Sequence, residues 1–299
     1  MFLNKNNQVR SGWIILIAFI FMFAGQAIFM LPGMTLMSII EISTGEVSVE
    51  IDGSMMLNNP WMILMTQGAG TIGGISATLV LWRAINKKYP PALGLRGPGK
   101  DLLFGLFLGA ASMTVIFFIL LANGNVTLLN SLARPEITTF TFTFLILFIL
   151  VGFFEEMFFR GYVMQTMAER GNSKWAIYIV SALVFSIAHG GNPNVSIFGL
   201  INIALVGILF AYMFDVTRSL LLPIGYHITW NFFQGNVFGF PVSGTDPYGM
   251  YRIEVAENSQ WLTGGSFGPE GGALATLIIL FGFVATSLYA KGRKENPLF

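Results

Sequence analysis

Three short constellations hold the groups most able to do chemistry. Glu155, Glu156 and Arg160 lie in Phe-Phe-Glu-Glu-Met-Phe-Phe-Arg-Gly, His189 closes Phe-Ser-Ile-Ala-His-Gly, and His227 and Asn231 lie in Gly-Tyr-His-Ile-Thr-Trp-Asn. The chain has only two histidines, and both belong to this set. A carboxylate and an imidazole around one water make a general base. A second imidazole and an amide supply donors for a tetrahedral oxyanion. Such a set suits the addition of water to a carbonyl, as in peptide hydrolysis. His and Glu are also common zinc ligands, so a divalent metal held by Glu155, His189 and His227 stays open.

Other ways of cutting a peptide leave no trace. The chain has no cysteine, which removes a thiol nucleophile, thiolate metal sites and disulfides together. A His-Glu-x-x-His zinc helix is absent, as are a Gly-x-Ser-Gly serine motif and a Gly-x-Gly-Asp aspartyl motif.

Helical geometry separates the two glutamates. Neighbouring residues differ by about 100° around an α-helix, so Glu155 and Glu156 face different directions. Arg160 lies four residues beyond Glu156, on the same face. The expected split has Arg160 holding Glu156 as support while Glu155 stays free for chemistry. Burial and Arg160 then act in opposite senses, and adjacent glutamates can hold different protonation states. His227 and Asn231, also four apart, share a face of their own helix.

The elements that must position these residues are membrane spans. The 299 residues are 54% hydrophobic and only 10% charged, with a mean hydropathy of +0.69. Soluble domains carry about 25% charged residues, so this composition excludes an ordinary globular surface. The net charge of +1 implies no pull on nucleic acid. Apolar runs of about the length needed to cross a bilayer recur from end to end. They lack the alternation of barrel strands, which leaves helices. The expected fold is an all-α membrane protein, a polytopic bundle of about eight transmembrane helices near 12–38, 61–82, 102–122, 138–168, 174–190, 196–214, 219–238 and 272–290. The first run is longer than the ~7–15 residues of a cleavable signal core and reads as a retained span. With Glu155 and His189 roughly 22 Å, and His227 and Asn231 roughly 12 and 18 Å, from the same end of their helices, the set occupies one slab of the membrane.

Orientation follows from the basic residues. Lys5, Arg10, Arg83, Lys87, Lys88, Arg96, Lys100, Arg170, Lys174, Arg218, Lys291, Arg293 and Lys294 fall on one side. Arg134, Arg252 and the acidic stretch with Glu41, Glu46, Glu50 and Asp52 fall on the other. The positive-inside rule then places both termini in the cytoplasm. No internal repeat is visible, which argues against a transporter built from repeated halves and using Glu155 as an ion carrier.

Blander readings stand beside these. A Glu-Glu pair near an arginine can be a buried ion network. His189 can cap a helix end, and His227 with Asn231 can bond between helices. Phe158, Phe159, Phe185 and Trp230 read as packing, Lys87, Lys88, Arg96 and Lys100 as topology determinants, and Asp215 with Arg218 as a solvated turn.

Taken together, Glu-Glu-x-x-x-Arg at 155–160, Phe-x-x-x-His at 185–189 and His-x-x-x-Asn at 227–231 resemble the CPBP family, also called Abi. It contains type II CAAX prenyl endopeptidases and relatives linked to bacteriocin processing and immunity. The resemblance covers roughly 140–236 and extends to Gly161, Ser219, Leu220 and Pro223. It implies an intramembrane endopeptidase in a bacterial or archaeal cell membrane. In that reading Glu155 and His189 activate water, His227 and Asn231 stabilise the oxyanion, and Glu156 and Arg160 support them. The implied partners are membrane lipids and a hydrophobic or lipid-attached peptide substrate, with no nucleic acid. A metal-dependent and a metal-free glutamate mechanism both fit the family, and a non-catalytic immunity or scaffold protein is the alternative function. The expected organisation is 1–136 for the first three spans, 137–240 for the catalytic core, and 241–299 for a loop and the last span.

Overall fold

The computed structural model describes residues 2–4, 7–44, 59–246, 248–291, 293 and 298. Lys5, Glu46, Glu50, Asp52 and Lys294, counted in the charge argument, lie outside the described residues. Eight apolar helical segments form the bundle: α1 (Ser11–Thr44), α2 (Pro60–Ile85), α3 (Gly99–Ala122), α4 (Thr139–Glu169), α5 (Lys174–Ala188), α6 (Ile197–Thr217), α7 (Leu221–Phe232) and α8 (Ala273–Ala290). The chain is therefore a multi-pass bundle of membrane helices.

The expected count of eight spans is not reproduced at full length. Among the described residues, six helices are long and apolar enough to cross a membrane: α1 as far as Ile40, α2, α3, α4, α6 and α8. The run at 174–190 yields the 15 residues of α5, about 22 Å of helix against a hydrocarbon core of about 30 Å. The run at 219–238 yields the 12 residues of α7 followed by a π-helical turn, Phe233–Val237. These two short helices carry or adjoin both histidines, and the polar groups they present interrupt the apolar pattern.

Helix starts follow local sequence. Asn59 accepts from the amides of Trp61 and Met62, and Pro60 occupies the first turn, where its missing N–H costs nothing. Thr138 and Thr141 form a reciprocal capping box for α4. Ser173 and Ser196 cap α5 and α6 through the amides of Ala176 and Gly199. Arg218, with a left-handed φ of 55°, stops α6.

Small residues set a close crossing. A Gly105-x-x-x-Gly109 face of α3 lies directly against the backbone of α7: a Cβ added there would sit 2.2 Å from the Leu222 carbonyl oxygen and 2.3 Å from that of Tyr226. Gly225 answers from α7, where a Cβ would come within 2.5 Å of the Leu102 carbonyl oxygen. Such contact lets backbones approach where lipid supplies no hydrophobic drive. Thr229 adds an interhelical hydrogen bond to the Leu106 carbonyl at 2.8 Å. This crossing fixes the helix that holds His227 and Asn231.

Both termini meet one end of the bundle. Arg170 donates to the Val9 carbonyl and Asn172 to Ser11. Leu298 donates to the Asp215 carbonyl, and Arg293 pairs with Asp101. Asp215 itself corrects the solvated-turn expectation. It is fully buried, accepts from Tyr178 at 2.8 Å and pairs with Lys174 at 2.5 Å. Arg218 beside it is exposed.

The opposite end is covered. Strands β1 (Val126–Leu128) and β2 (Ile253–Val255) pair antiparallel, with Val126 opposite Val255. Arg252 bridges to Glu136 at 2.8 Å. The connection from α7 to α8, read from sequence as a loop, is a packed cap that buries Phe240 and Phe267.

Candidate active site

The site is built around a change of helical pitch. α4 is α-helical to Glu155 and π-helical over Glu156–Met164, before closing as α-helix. π segments are rare and cluster at functional sites. Every residue of this one is buried. Glu155 is the last residue before the change and Glu156 the first within it.

Glu156 and Arg160 are both fully buried and pair at 2.9 Å, as the four-residue spacing predicts. Arg160 also donates to the Gly207 carbonyl of α6 at 3.2 Å. Its guanidinium lies 4.3 Å from the ring centre of Phe185 and 5.1 Å from that of Phe210. Phe185 is thus more than filler, since it clamps a cation deep in the bundle.

The pair has a third member that spacing within one helix cannot reveal. His227 Nδ1 lies 3.0 Å from the same Glu156 oxygen that Arg160 holds. Its Nε2 lies 3.7 Å from Glu155 Oε2. The two glutamates, which leave α4 in different directions, therefore reach opposite nitrogens of one imidazole. Phe210 stacks on that ring at 5.4 Å. Glu156 is then more than a partner for Arg160, because it also orients His227.

His189 follows the last turn of α5. Its Nδ1 contacts the Phe185 carbonyl at 2.9 Å, and its ring packs edge-on to Phe185. A carbonyl only accepts, so Nδ1 carries the proton and Nε2 of the neutral ring keeps its lone pair. The capping contact therefore leaves Nε2 of His189 unengaged by that carbonyl and is compatible with the role expected of it.

Glu155, His189, His227 and Asn231 all line one cavity of about 180 Å³. Phe148, Val151, Ile203, Val206 and Trp230 supply apolar wall. Asn231 is 7% exposed, lines this space and has no side-chain hydrogen bond to another described residue. Glu155 Oε2 is buried without a hydrogen-bond partner among the described residues. Polar groups left so in apolar surroundings are costly and mark a place built to receive something.

The metal alternative fares differently. Among the described residues no three His, Asp or Glu side chains are gathered closely enough to hold a metal ion. Glu156, the nearest carboxylate to His227, already shares its oxygen with a guanidinium. Glu155, His189 and His227 line one cavity but are not gathered as a ligand set in this arrangement.

Four polar lining residues carry no sequence motif: Asn192, Asn202, Ser243 and Glu270. Asn202 sits within a span, and its polarity there was a usable signal. Ser243 and Glu270 belong to the cap, where polar residues are ordinary and no motif marks them.

A family model described as Rce1-like, Type II CAAX prenyl endopeptidase Rce1-like, matches residues 137–233. No curated protein and no solved structure matches the chain. The matched stretch contains Glu155, Glu156, Arg160, His189, His227 and Asn231 and ends before the cap. A CAAX/Rce1-like protease domain, consistent with the CPBP/Abi superfamily, is therefore detected over part of this chain.

Proposed function

We propose that this protein is an intramembrane endopeptidase in which a glutamate, with no metal, activates water. The observation that carries the reading is the convergence of Glu155, both histidines and Asn231 on one cavity inside a helical membrane bundle.

The hydrogen bonds favour distinct roles. His189, with Nδ1–H given to the Phe185 carbonyl, turns an acceptor nitrogen to chemistry and suits proton abstraction beside Glu155. His227 gives Nδ1–H to Glu156, so its Nε2 donates only when the ring carries both protons. In that state Glu155, Glu156, Arg160 and His227 sum to zero charge, which suits a low-dielectric interior. His227 and Asn231 are then the oxyanion donors. Water, deprotonated by Glu155 and His189, adds to the scissile carbonyl. The proton taken up passes to the departing amine as the tetrahedral intermediate collapses. Glu156 and Arg160 act through His227 and are positioning residues.

The substrate class is a hydrophobic or lipid-attached peptide reaching the site from the membrane. The basic end of the bundle, with both termini, faces the cytoplasm in this reading. Comparative proteomics of cells carrying the wild type or Glu155→Ala tests the activity directly. Membrane-associated peptides cut only by the wild type are expected. Unchanged proteolysis by Glu155→Ala, in protein that inserts normally, rejects the role of that residue.

A further inference from the structure

Glu270 lies in the cap, outside the family-matched stretch, yet lines the cavity with Glu155, His189 and Asn231. Its placement is built rather than incidental. Oε2 accepts from the amide and the hydroxyl of Ser243, both at 2.7 Å. The Glu270 carbonyl accepts from Asn202 of α6 at 2.8 Å, and Asn202 also holds the Gly272 carbonyl at 3.0 Å. Thr276 of α8 donates to the Asn202 amide oxygen at 2.7 Å. Two helices and both ends of the cap thus fix one carboxylate at the cavity wall.

The charge census of that wall is one-sided. Among the described residues it carries two carboxylates, Glu155 and Glu270, two imidazoles, three amides and a hydroxyl, with no Lys or Arg. Arg160 is fully buried behind the wall and already engaged. A substrate carboxylate entering here would meet the charge of Glu270, which no fixed cation offsets, because a protonated His227 is already balanced by Glu155 and Glu156. A substrate cation would meet a half-buried carboxylate whose protein partners at Ser243 are neutral donors. Buried charges are stabilised by pairing, so the wall rewards the second case.

We infer, resting on the endopeptidase reading above, that Glu270 is a specificity residue that selects a Lys or Arg side chain close to the scissile bond and disfavours a free C-terminal carboxylate there. Burial pushes the Glu270 carboxyl up from the usual carboxylate range, opposed by its Ser243 hydrogen bonds and by His189. An arriving cation offsets that penalty in the manner of any opposite charge. The selected substrate is then an internal cut in a membrane-associated peptide with a basic residue beside it, and not the release of a short carboxylate-ended fragment.

The test uses the full chain in lipid nanodiscs and a pool of apolar peptides. Each peptide carries one Lys, Gln or Glu at successive positions and ends in a carboxylate or an amide, and cut sites are read by mass spectrometry. Wild type is expected to cut peptides with Lys within two residues of the site about ten-fold faster than those with Glu. It should also prefer amide over carboxylate ends when the end lies within three residues of the cut. In Glu270→Gln, which keeps an acceptor for Ser243, the Lys-to-Glu ratio should fall to within about two-fold. In Glu270→Lys it should invert. Cleavage by wild type without charge preference, or with preference for Glu or a free carboxylate, overturns the inference and leaves the peptidase reading standing. No cleavage of any peptide by wild type overturns both.

Discussion

Arg160, Glu156 and His227 share so few atoms that their energetics are coupled. Arg160→Ala leaves Glu156 and its buried charge with His227 alone, and loss of one member of a buried pair costs about 3–5 kcal/mol. The double variant Arg160→Met, Glu156→Gln removes both charges and should recover at least half of that loss. Thermal unfolding in detergent measures the difference, and equal destabilisation by the single and double variants would contradict it. Both variants should cut substrate poorly, because the Glu156 oxygen that orients His227 loses its anchor in Arg160→Ala and its charge in the double variant. Glu155→Gln behaves differently. Glu155 Oε2 has no hydrogen-bond partner among the described residues, so the amide should fold normally. A proteolytic rate at least about 100-fold lower is expected, in line with removal of a general base. A Glu155→Gln protein that unfolds early would show a structural role instead. Helical spacing made the Glu156–Arg160 pair legible in advance. It was silent on His227 as the third member, since that contact joins residues 71 apart in the chain.

Among the elements, α3 and α7 decide whether the site keeps its shape. Gly109 sits where an added Cβ would lie 2.3 Å from the Tyr226 carbonyl oxygen and 2.4 Å from Thr229 Oγ1. Gly109→Val therefore has to drive α7 away from α3 or break the Thr229 bond. Overpacking of this kind costs about 1–3 kcal/mol. The displaced helix carries His227 and Asn231, so activity should fall by more than stability alone accounts for. A variant with lowered thermal stability but wild-type turnover at permissive temperature would argue against this coupling. Hydropathy was enough to locate the helices: α4 begins and ends within one residue of its expected limits. It took α5 and α7 for full spans, because a mean over a window cannot see a helix stopping at His189 or loosening after Phe232. The π segment of α4 was equally hidden. A shift from one hydrogen-bond register to the next leaves the apolar pattern intact while moving every side chain beyond it.

For the whole molecule, the testable statement is which end faces the cytoplasm. Contacts at Val9, Ser11, Arg293 and Leu298 bring both ends of the chain to the face that also holds the 86–98 and 170–173 connections. Arg10, Arg83, Lys87, Lys88, Arg96, Lys100 and Arg170 belong to that face or its connections, whereas Arg134 and Arg252 belong to the capped face. By the positive-inside rule so strong a bias predicts a cytoplasmic basic face. The grouping of the basic residues on one face was legible from charge alone. The cap was not, because its polar and glycine-rich sequence reads as an ordinary loop until its packing is seen. The chain contains no cysteine, so a single introduced one is an unambiguous reporter. Lys87→Cys and Arg134→Cys place a thiol at opposite faces, at positions away from the cavity. In intact cells a membrane-impermeant maleimide should label Arg134→Cys and leave Lys87→Cys unmodified until the membrane is permeabilised. The reverse pattern would put the basic face outside. It would also place the capped face, with Glu270 at the site's rim, toward the cytoplasm, so that substrates would present their basic residues from the inner leaflet. The labelling result therefore decides from which side of the membrane a cation-bearing peptide has to approach.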